Sequence, residues 1–232
     1  MSLFNTQRIS CPACGLEQDF ETVLSVNGAG RPDLIEAILD DDFQRKPCQR
    51  CAAPLRLDPD FTLLDQARGL WLSAAPLAGL ARWPEFEARA QQAFAEGYSA
   101  SPSQGAREIG ATLRARVSFG WPAAREKLLI AELGLNDVSI ELCKMAALRS
   151  GAPAHLQAST ELRLLGVEGE DLVLAWVDSA SGETGAELRL ARSLYEQIEG
   201  DDTSAWDRLR KPMSSGYFVD INRMLLPPPP KA

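Results

Sequence analysis

The sequence predicts an α+β fold in three parts: an N-terminal β module with one inserted helix, a mixed α/β middle section, and a C-terminal part rich in β-meander. Three observations carry that expectation. Four of the five cysteines fall in two Cys-x-x-Cys pairs, Cys11/Cys14 and Cys48/Cys51, with a strand-like and then a helix-like segment between them. From Phe61 to Arg149, strand patterns alternate with helix patterns. After residue 160, three apolar runs are separated by Gly- and acid-containing turns.

Residues 8–58 form the first unit. Arg8-Ile9-Ser10 leads into the first cysteine pair as a short strand, and Phe20 to Val26 alternates and is β-branched. Asn27-Gly28-Ala29-Gly30 breaks the chain, and a helix follows from about Pro32 to Asp42, with Leu34, Ile35, Ile38 and Leu39 on one stripe. Either Asp33 caps it with Glu36, or Pro32 is its first residue. Asp40-Asp41-Asp42 oppose the helix dipole and stop it. The second cysteine pair is followed by a strand over Pro54–Leu57.

Residues 59–150 continue from this module. Phe61–Leu64 and Leu70–Ser73 flank Arg68-Gly69 as a hairpin. Trp83-Pro84 opens a helix to about Glu96, with Phe86, Ala90, Ala93 and Phe94 on one face and Gly97 as its stop. Residues 98–110 read as a loop, Thr112–Phe119 as a strand, and two broadly apolar, buried helices follow from Trp121 to near Gly134 and from Asp137 to Arg149. Gly151-Ala152-Pro153 marks a boundary. In residues 151–226, Leu162–Leu165, Leu172–Val177 and Leu188–Leu190 form a meander, and Arg192–Ile198 a short helix. Residues 227–232 are a proline-rich solvated tail.

Composition narrows the class. The 232 residues are 45% apolar, enough for a sizeable core, and no run approaches the roughly eighteen apolar residues of a membrane span. The first ten residues lack a signal-peptide pattern, so the expectation is a soluble cytoplasmic protein without a membrane partner. Formal charge is −8, which disfavours phosphate-rich partners and suits basic proteins. The one compact basic cluster near the cysteines, Arg45, Lys46, Arg50 and Arg56, reads as a solvated rim.

The paired cysteines admit three chemistries. Cys-Pro-Ala-Cys resembles a dithiol redox centre, but such a centre uses one pair at a helix N-terminus, and Gly15-Leu16 opens no helical pattern. Two disulfides are disfavoured in a reducing compartment. Four thiolates on one Zn²⁺ satisfy both pairs at once: each turn aims amides at its sulfurs, and Gly15 supplies a left-handed backbone. Cys11, Cys14, Cys48 and Cys51 are therefore the expected ligands of a single structural zinc ion in a zinc-ribbon-like module. A closed four-cysteine site leaves no coordination position for substrate.

Cys11-Pro12-Ala13-Cys14-Gly15, Ser25-Val26-Asn27, the Pro32–Leu39 helix and Cys48-x-x-Cys51 together resemble the CpXC domain family. The resemblance continues through Asp65-x-x-Arg68-Gly69-Leu70-Trp71, Phe119-Gly120, Arg125-Glu126-Lys127-Leu128 and Gly134-Leu135-Asn136-Asp137 with Glu141 and Lys144, covering about residues 8–150. It implies a zinc-ribbon-like metal site and brings no activity with it. Gln49 stands where the family pattern has proline, and Ala52 where glycine often follows.

Other candidates have plainer explanations. Cys143 lies in an apolar helix as a buried structural cysteine, and His155, the only histidine, has no spacing that pairs it with a nucleophile. Asp40, Asp41 and Asp42 lack the geometry of a calcium loop. Glu126, Glu132, Asp137 and Glu141 could cluster if their helices pack antiparallel, and Arg125, Lys127 and Lys144 are at hand as ordinary ion-pair partners. Gly28-Ala29-Gly30 completes no nucleotide-binding motif, and the five tryptophans are scattered. The leading expectation is a non-enzymatic zinc protein whose acidic surface meets a protein partner, plausibly a basic one, with oligomeric state open. The alternatives are a nucleic-acid-associated regulator and an enzyme with its site near residues 112–150.

Overall fold

The computed structural model of the chain describes residues 2–150, 159–200 and 204–226. It is an α+β fold built on a five-stranded mixed sheet and a three-stranded meander. In the first sheet β1 (Leu3–Ser10) runs antiparallel to β2 (Glu17–Asn27). β2 then pairs parallel with β5 (Phe61–Asp65) through Ser25–Asn27, β5 antiparallel with β6 (Leu70–Ala75), and β6 parallel with β7 (Arg114–Phe119). β3 (Lys46–Pro47) and β4 (Pro54–Leu55) make a separate two-stranded ribbon.

Interior strand β6, Leu-Trp-Leu-Ser-Ala-Ala, is buried on both faces apart from half-buried Ser73, as its largely apolar character demands. On one face Leu63, Leu70, Leu72 and Ala74 pack against α1 (Pro32–Leu39) and α4 (Trp121–Glu132) through Ile35, Ile38, Ala124 and Leu128. On the other, Trp71, Ala75, Val117 and Phe119 meet Trp83, Ala90 and Phe94 of α2 (Trp83–Phe94), with Phe218. The meander, in the order β10 (Thr184–Ala191), β9 (Asp171–Asp178), β8 (Thr160–Glu168), packs with α5 (Asp137–Arg149) and α6 (Arg192–Gly200) around Leu142, Leu164, Leu174 and Ile198. α4 touches both cores, with Leu128 in one and Ile130 in the other, so it is buried nearly all round, its charged Glu126 and Lys127 included.

Several local expectations change. Of the two starts for α1, proline wins: Pro32 is the first helical residue, and Asp33 bonds the Arg31 guanidinium instead of capping. α1 stops at Leu39, and Asp41 turns left-handed at φ 60°. The strand at Pro54 is two residues long. Gly97 does not end α2, which continues as a π turn over Ala95–Ser99. Residues 98–110 are largely not a loop: α3 spans Gln104–Ala111, and Ser103 Oγ caps it by accepting from Ala106 N. Gly105 and Gly110 read as breakers, yet Gly110 is there because Tyr98 Cβ would lie 2.6 Å from any side chain at that position. The buried face of α2 carries Glu87 in place of Ala93, which is exposed; Glu87 accepts from Phe218 N and Arg223. α7 (Ser204–Met213) and α8 (Asn222–Leu225) add two helices that local patterning does not announce. Gly151–Pro153, His155 and Pro227–Pro230 lie outside the described residues.

Candidate metal centre

The two cysteine pairs fold into the same turn twice. After β1, Cys11 N donates to Leu16 O (2.8 Å) and Gly15 N to Cys11 O (2.8 Å). Between β3 and β4, Cys48 N donates to Ala53 O (2.8 Å) and Ala52 N to Cys48 O (2.9 Å). Both turns need a left-handed residue directly after the second cysteine. Gly15 takes φ 70° without strain, whereas Ala52 takes φ 57° in spite of its Cβ. The departure from glycine noted in the sequence is thus a departure in residue type and not in backbone path.

The turns face one another. Cys11 Sγ lies 3.8 Å from Cys51 Sγ, and Cys14 Sγ 3.7 Å from Cys48 Sγ. All four sulfurs fall within 4.8 Å of one another, and no other group of three or more potential ligands is found among the described residues. A tetrahedron with metal–sulfur bonds of about 2.3 Å has edges of about 3.8 Å, which the Cys11–Cys51 and Cys14–Cys48 contacts match, so the cluster is compact enough for a four-thiolate site. A disulfide needs about 2.05 Å, and all four cysteines are free. Neither pair opens a helix, which removes the dipole a redox dithiol would use.

The surroundings support negative sulfur. Arg50 N lies 3.5 Å from Cys48 Sγ. The N–H groups of Cys51 and Arg50 draw the Cys48 thiol down to about 6. Cys51 receives the N–H of Ala53, yet partial desolvation and the neighbouring thiols of Cys14, Cys48 and Cys11 push it up to about 11. Four sulfurs this close cannot all be anionic on their own, and a shared dication removes that conflict. Cys11 and Cys48 are buried under Phe20 and Leu55, while Cys51 is exposed. Gln18, buried on β2, accepts from Gln49 N (3.0 Å) and ties the second turn to the sheet. Nothing in the sequence singles out Gln18, since its role depends on the two turns meeting.

The basic cluster is a solvated rim only in part: Lys46 and Arg50 are exposed, while Arg45 and Arg56 are half-buried. Asp41 accepts from both Arg45 (2.5 Å) and Arg56 (2.6 Å). Arg56 also lies over the Trp121 ring at 4.1 Å, and Lys46 over Phe20 at 5.4 Å. Of the four cations, only Arg50 stays free of a carboxylate or ring partner among the described residues. Asp41 is therefore an anchor for arginines and not part of an acidic cation site.

The carboxylates of α4 and α5 do gather, but as a buried ion lattice. Lys144 bonds Glu126 (2.7 Å) and Glu141 (2.8 Å), and none of the three is appreciably exposed. Lys127 lies 3.3 Å from Asp137, which Arg116 grips with two nitrogens at 2.6 and 2.9 Å. Arg163 of β8 reaches Glu126 (2.9 Å), Asp220 (2.7 Å) and Glu161. Glu132 stays outside and pairs with Arg68, while Arg125 donates to Leu39 O (2.6 Å). Burial acts to raise Glu126, but Lys144, Arg163 and Lys127 outweigh it and hold the carboxyl below its usual range. At Glu141 burial wins over Lys144, with Asp220 and Glu126 nearby, and its carboxyl is raised. Cys143 is buried beside this lattice, its thiol pushed up by burial to about 12. His155 lies outside the described residues. An open depression of about 590 Å³ lies alongside, lined by Arg68, Arg114, Arg116, Asn136 and Tyr195.

Among the described residues no helix is long and apolar enough to cross a membrane. No curated protein and no solved structure is matched by this sequence. A family model described as CpXC protein matches residues 9–144, more than half of the chain and all four clustered cysteines.

Proposed function

Since the chain belongs to the CpXC family, we propose that its cysteine cluster holds one structural zinc ion and that the protein acts as a non-enzymatic binding module. The observation that carries the metal reading is the pairing of two turns closed by the same hydrogen bonds, whose four sulfurs lie within 4.8 Å of one another, with two contacts of 3.7 and 3.8 Å at the edge length of a zinc–thiolate tetrahedron. An all-sulfur donor set favours zinc over magnesium or calcium, which take oxygen. With every ligand supplied by the chain, such an ion would fasten β1, β2 and the β3–β4 ribbon together and would hold no water for hydrolysis.

The partner reading rests on charge. The chain carries −8, and Glu17, Asp19 and Glu21 project from β2 beside the cluster. Of the nearby cations, by contrast, Arg45 and Arg56 share the one carboxylate of Asp41, so part of the local positive charge is offset and only Lys46 and Arg50 are exposed, which weakens the support for a nucleic-acid face. The ion lattice at residues 126–144 has every charge answered by another, which favours a structural over a catalytic role. Affinity capture with the full chain tests the partner. A basic protein released by moderate salt supports the reading. Salt-sensitive retention of RNA or DNA, with no protein bound, would replace it.

A further inference from the structure

The two edges of the five-stranded sheet are treated differently. At β7 the segment around residue 217 covers the edge, and Val117 N donates to Tyr217 O (2.9 Å). At β1 no described strand pairs with the outer edge. β1 is eight residues long, about 27 Å of strand, and all but Ile9 are exposed. Of the usual protections it carries only one, a single arginine, and has no proline and no lysine. The one irregularity beside it sits on β2, where Leu24 is skipped between the pairs Leu3–Ser25 and Phe4–Val23, so the outer edge of β1 itself stays regular. Leu3, Phe4 and Leu24 are among the few exposed large apolar side chains of the described residues.

We infer that this edge is a dimerisation surface, on which β1 pairs antiparallel with β1 of a second copy about a two-fold axis at Thr6. A two-fold axis normal to the sheet keeps each face of the strand on the same side in both copies, so only registers centred on a residue are allowed. Centring on Thr6 sets Leu3 against Ile9 of the other copy, Phe4 against Arg8, Asn5 against Gln7, and Thr6 against Thr6. These are an apolar pair, a cation on an aromatic ring, an amide pair and a threonine pair, all favourable cross-strand combinations. Centring on Gln7 instead sets Asn5 against Ile9 and Phe4 against Ser10, which matches neither polarity nor size. Arg8 is available for the new contact: its link to Glu17 is long, at 3.4 Å, and both side chains are about two-thirds exposed. The strand is thus complementary to itself, which an edge built for an unrelated peptide has no reason to be.

Sedimentation velocity on the full chain, from low micromolar to near-millimolar concentration, tests this. The wild type should pass from monomer to dimer. Thr6→Glu sets like charges against each other at the axis, beside Glu21 of each copy, and should weaken the dimer about tenfold or more. Thr6 is exposed, and within its own chain Thr6→Glu adds only the like-charge pair with Glu21, so the monomer should stay folded and lose no more than about 4 °C in melting temperature. Mixing Thr6→Glu with Thr6→Lys chains should restore a mixed dimer, detected by native mass spectrometry. A wild type that stays monomeric throughout, a Thr6→Glu chain that dimerises as tightly as wild type, or a mixture without mixed dimers would each overturn the inference.

Discussion

Replacing Lys144 by methionine keeps most of its volume and removes one charge from the centre of the ion lattice. Glu126 retains Arg163 at 2.9 Å and the Leu164 N–H, so it remains answered. Glu141 keeps only Lys127, at 3.6 Å, and the Ile221 N–H, and stays completely buried. An uncompensated buried carboxylate costs about 3–5 kcal/mol. Taking up a proton limits that cost: from a reference pKa of about 4.3, staying neutral at pH 7 costs about 3.7 kcal/mol. The sign follows from the direction of the shift. Glu141 has a raised folded pKa, so the stability it contributes is present below its unfolded pKa and is lost as pH rises toward the folded value. Lys144→Met strengthens that behaviour. The deficit relative to wild type should therefore be about 3–4 kcal/mol at pH 7 and smaller at pH 5 by up to about 2.7 kcal/mol. For a chain of this size the pH 7 value is a melting-point loss of roughly 6–16 °C. Differential scanning calorimetry at both pH values measures it. A variant melting within about 2 °C of wild type, or a deficit equal at pH 5 and pH 7, would refute this view of the lattice.

Acid should unfold the protein through the same groups with the opposite sign. Burial acts to raise Asp220, but Arg163 and Lys144 outweigh it and hold the carboxyl at about 2, so its contribution, present above the unfolded value near 3.9, is lost as pH falls toward 2. That is about 2–3 kcal/mol from this group alone, readable as a loss of circular dichroism below about pH 4. The two cysteine turns should respond unequally to exchange of their left-handed residues. Gly15→Ala places a Cβ at φ 70° with no neighbour to blame, and should cost about 1 kcal/mol, or roughly fivefold in metal affinity by chelator competition. Ala52→Gly relieves similar strain but loosens the unfolded chain, and should change stability by less than about 0.5 kcal/mol.

The features that sequence reveals here are those set by local chemistry. The boundaries of α5 at Asp137 and Arg149, the Pro-initiated α2 and α4, and the strands of the meander follow from caps, prolines and apolar runs that act within a few residues. The cysteine turns belong to the same class, because each is closed by its own backbone hydrogen bonds. Features that depend on distant partners stay hidden. Glu87 looks like a surface acid until Phe218 N and Arg223 are seen to reach it. Lys144, Glu126 and Glu141 look like helix-surface ion pairs until Arg163 and Asp220 arrive from far along the chain and seal them. Arg56 belongs to a basic rim by sequence and to Asp41 and Trp121 by structure. α3 was hidden for a simpler reason: its serine cap and two glycines resemble turn chemistry, and the second glycine answers to Tyr98.

The cysteine cluster is the central claim, and native mass spectrometry of the intact chain, set beside elemental analysis, tests it most directly. One zinc per chain is predicted, released when the protein is denatured in acid, and absent or much reduced in Cys14→Ser together with loss of the cooperative melt of the β1–β4 region. A Cys14→Ser chain that keeps its zinc and its melting temperature, or a folded wild type purified under reducing conditions that binds none when zinc is supplied, would contradict it.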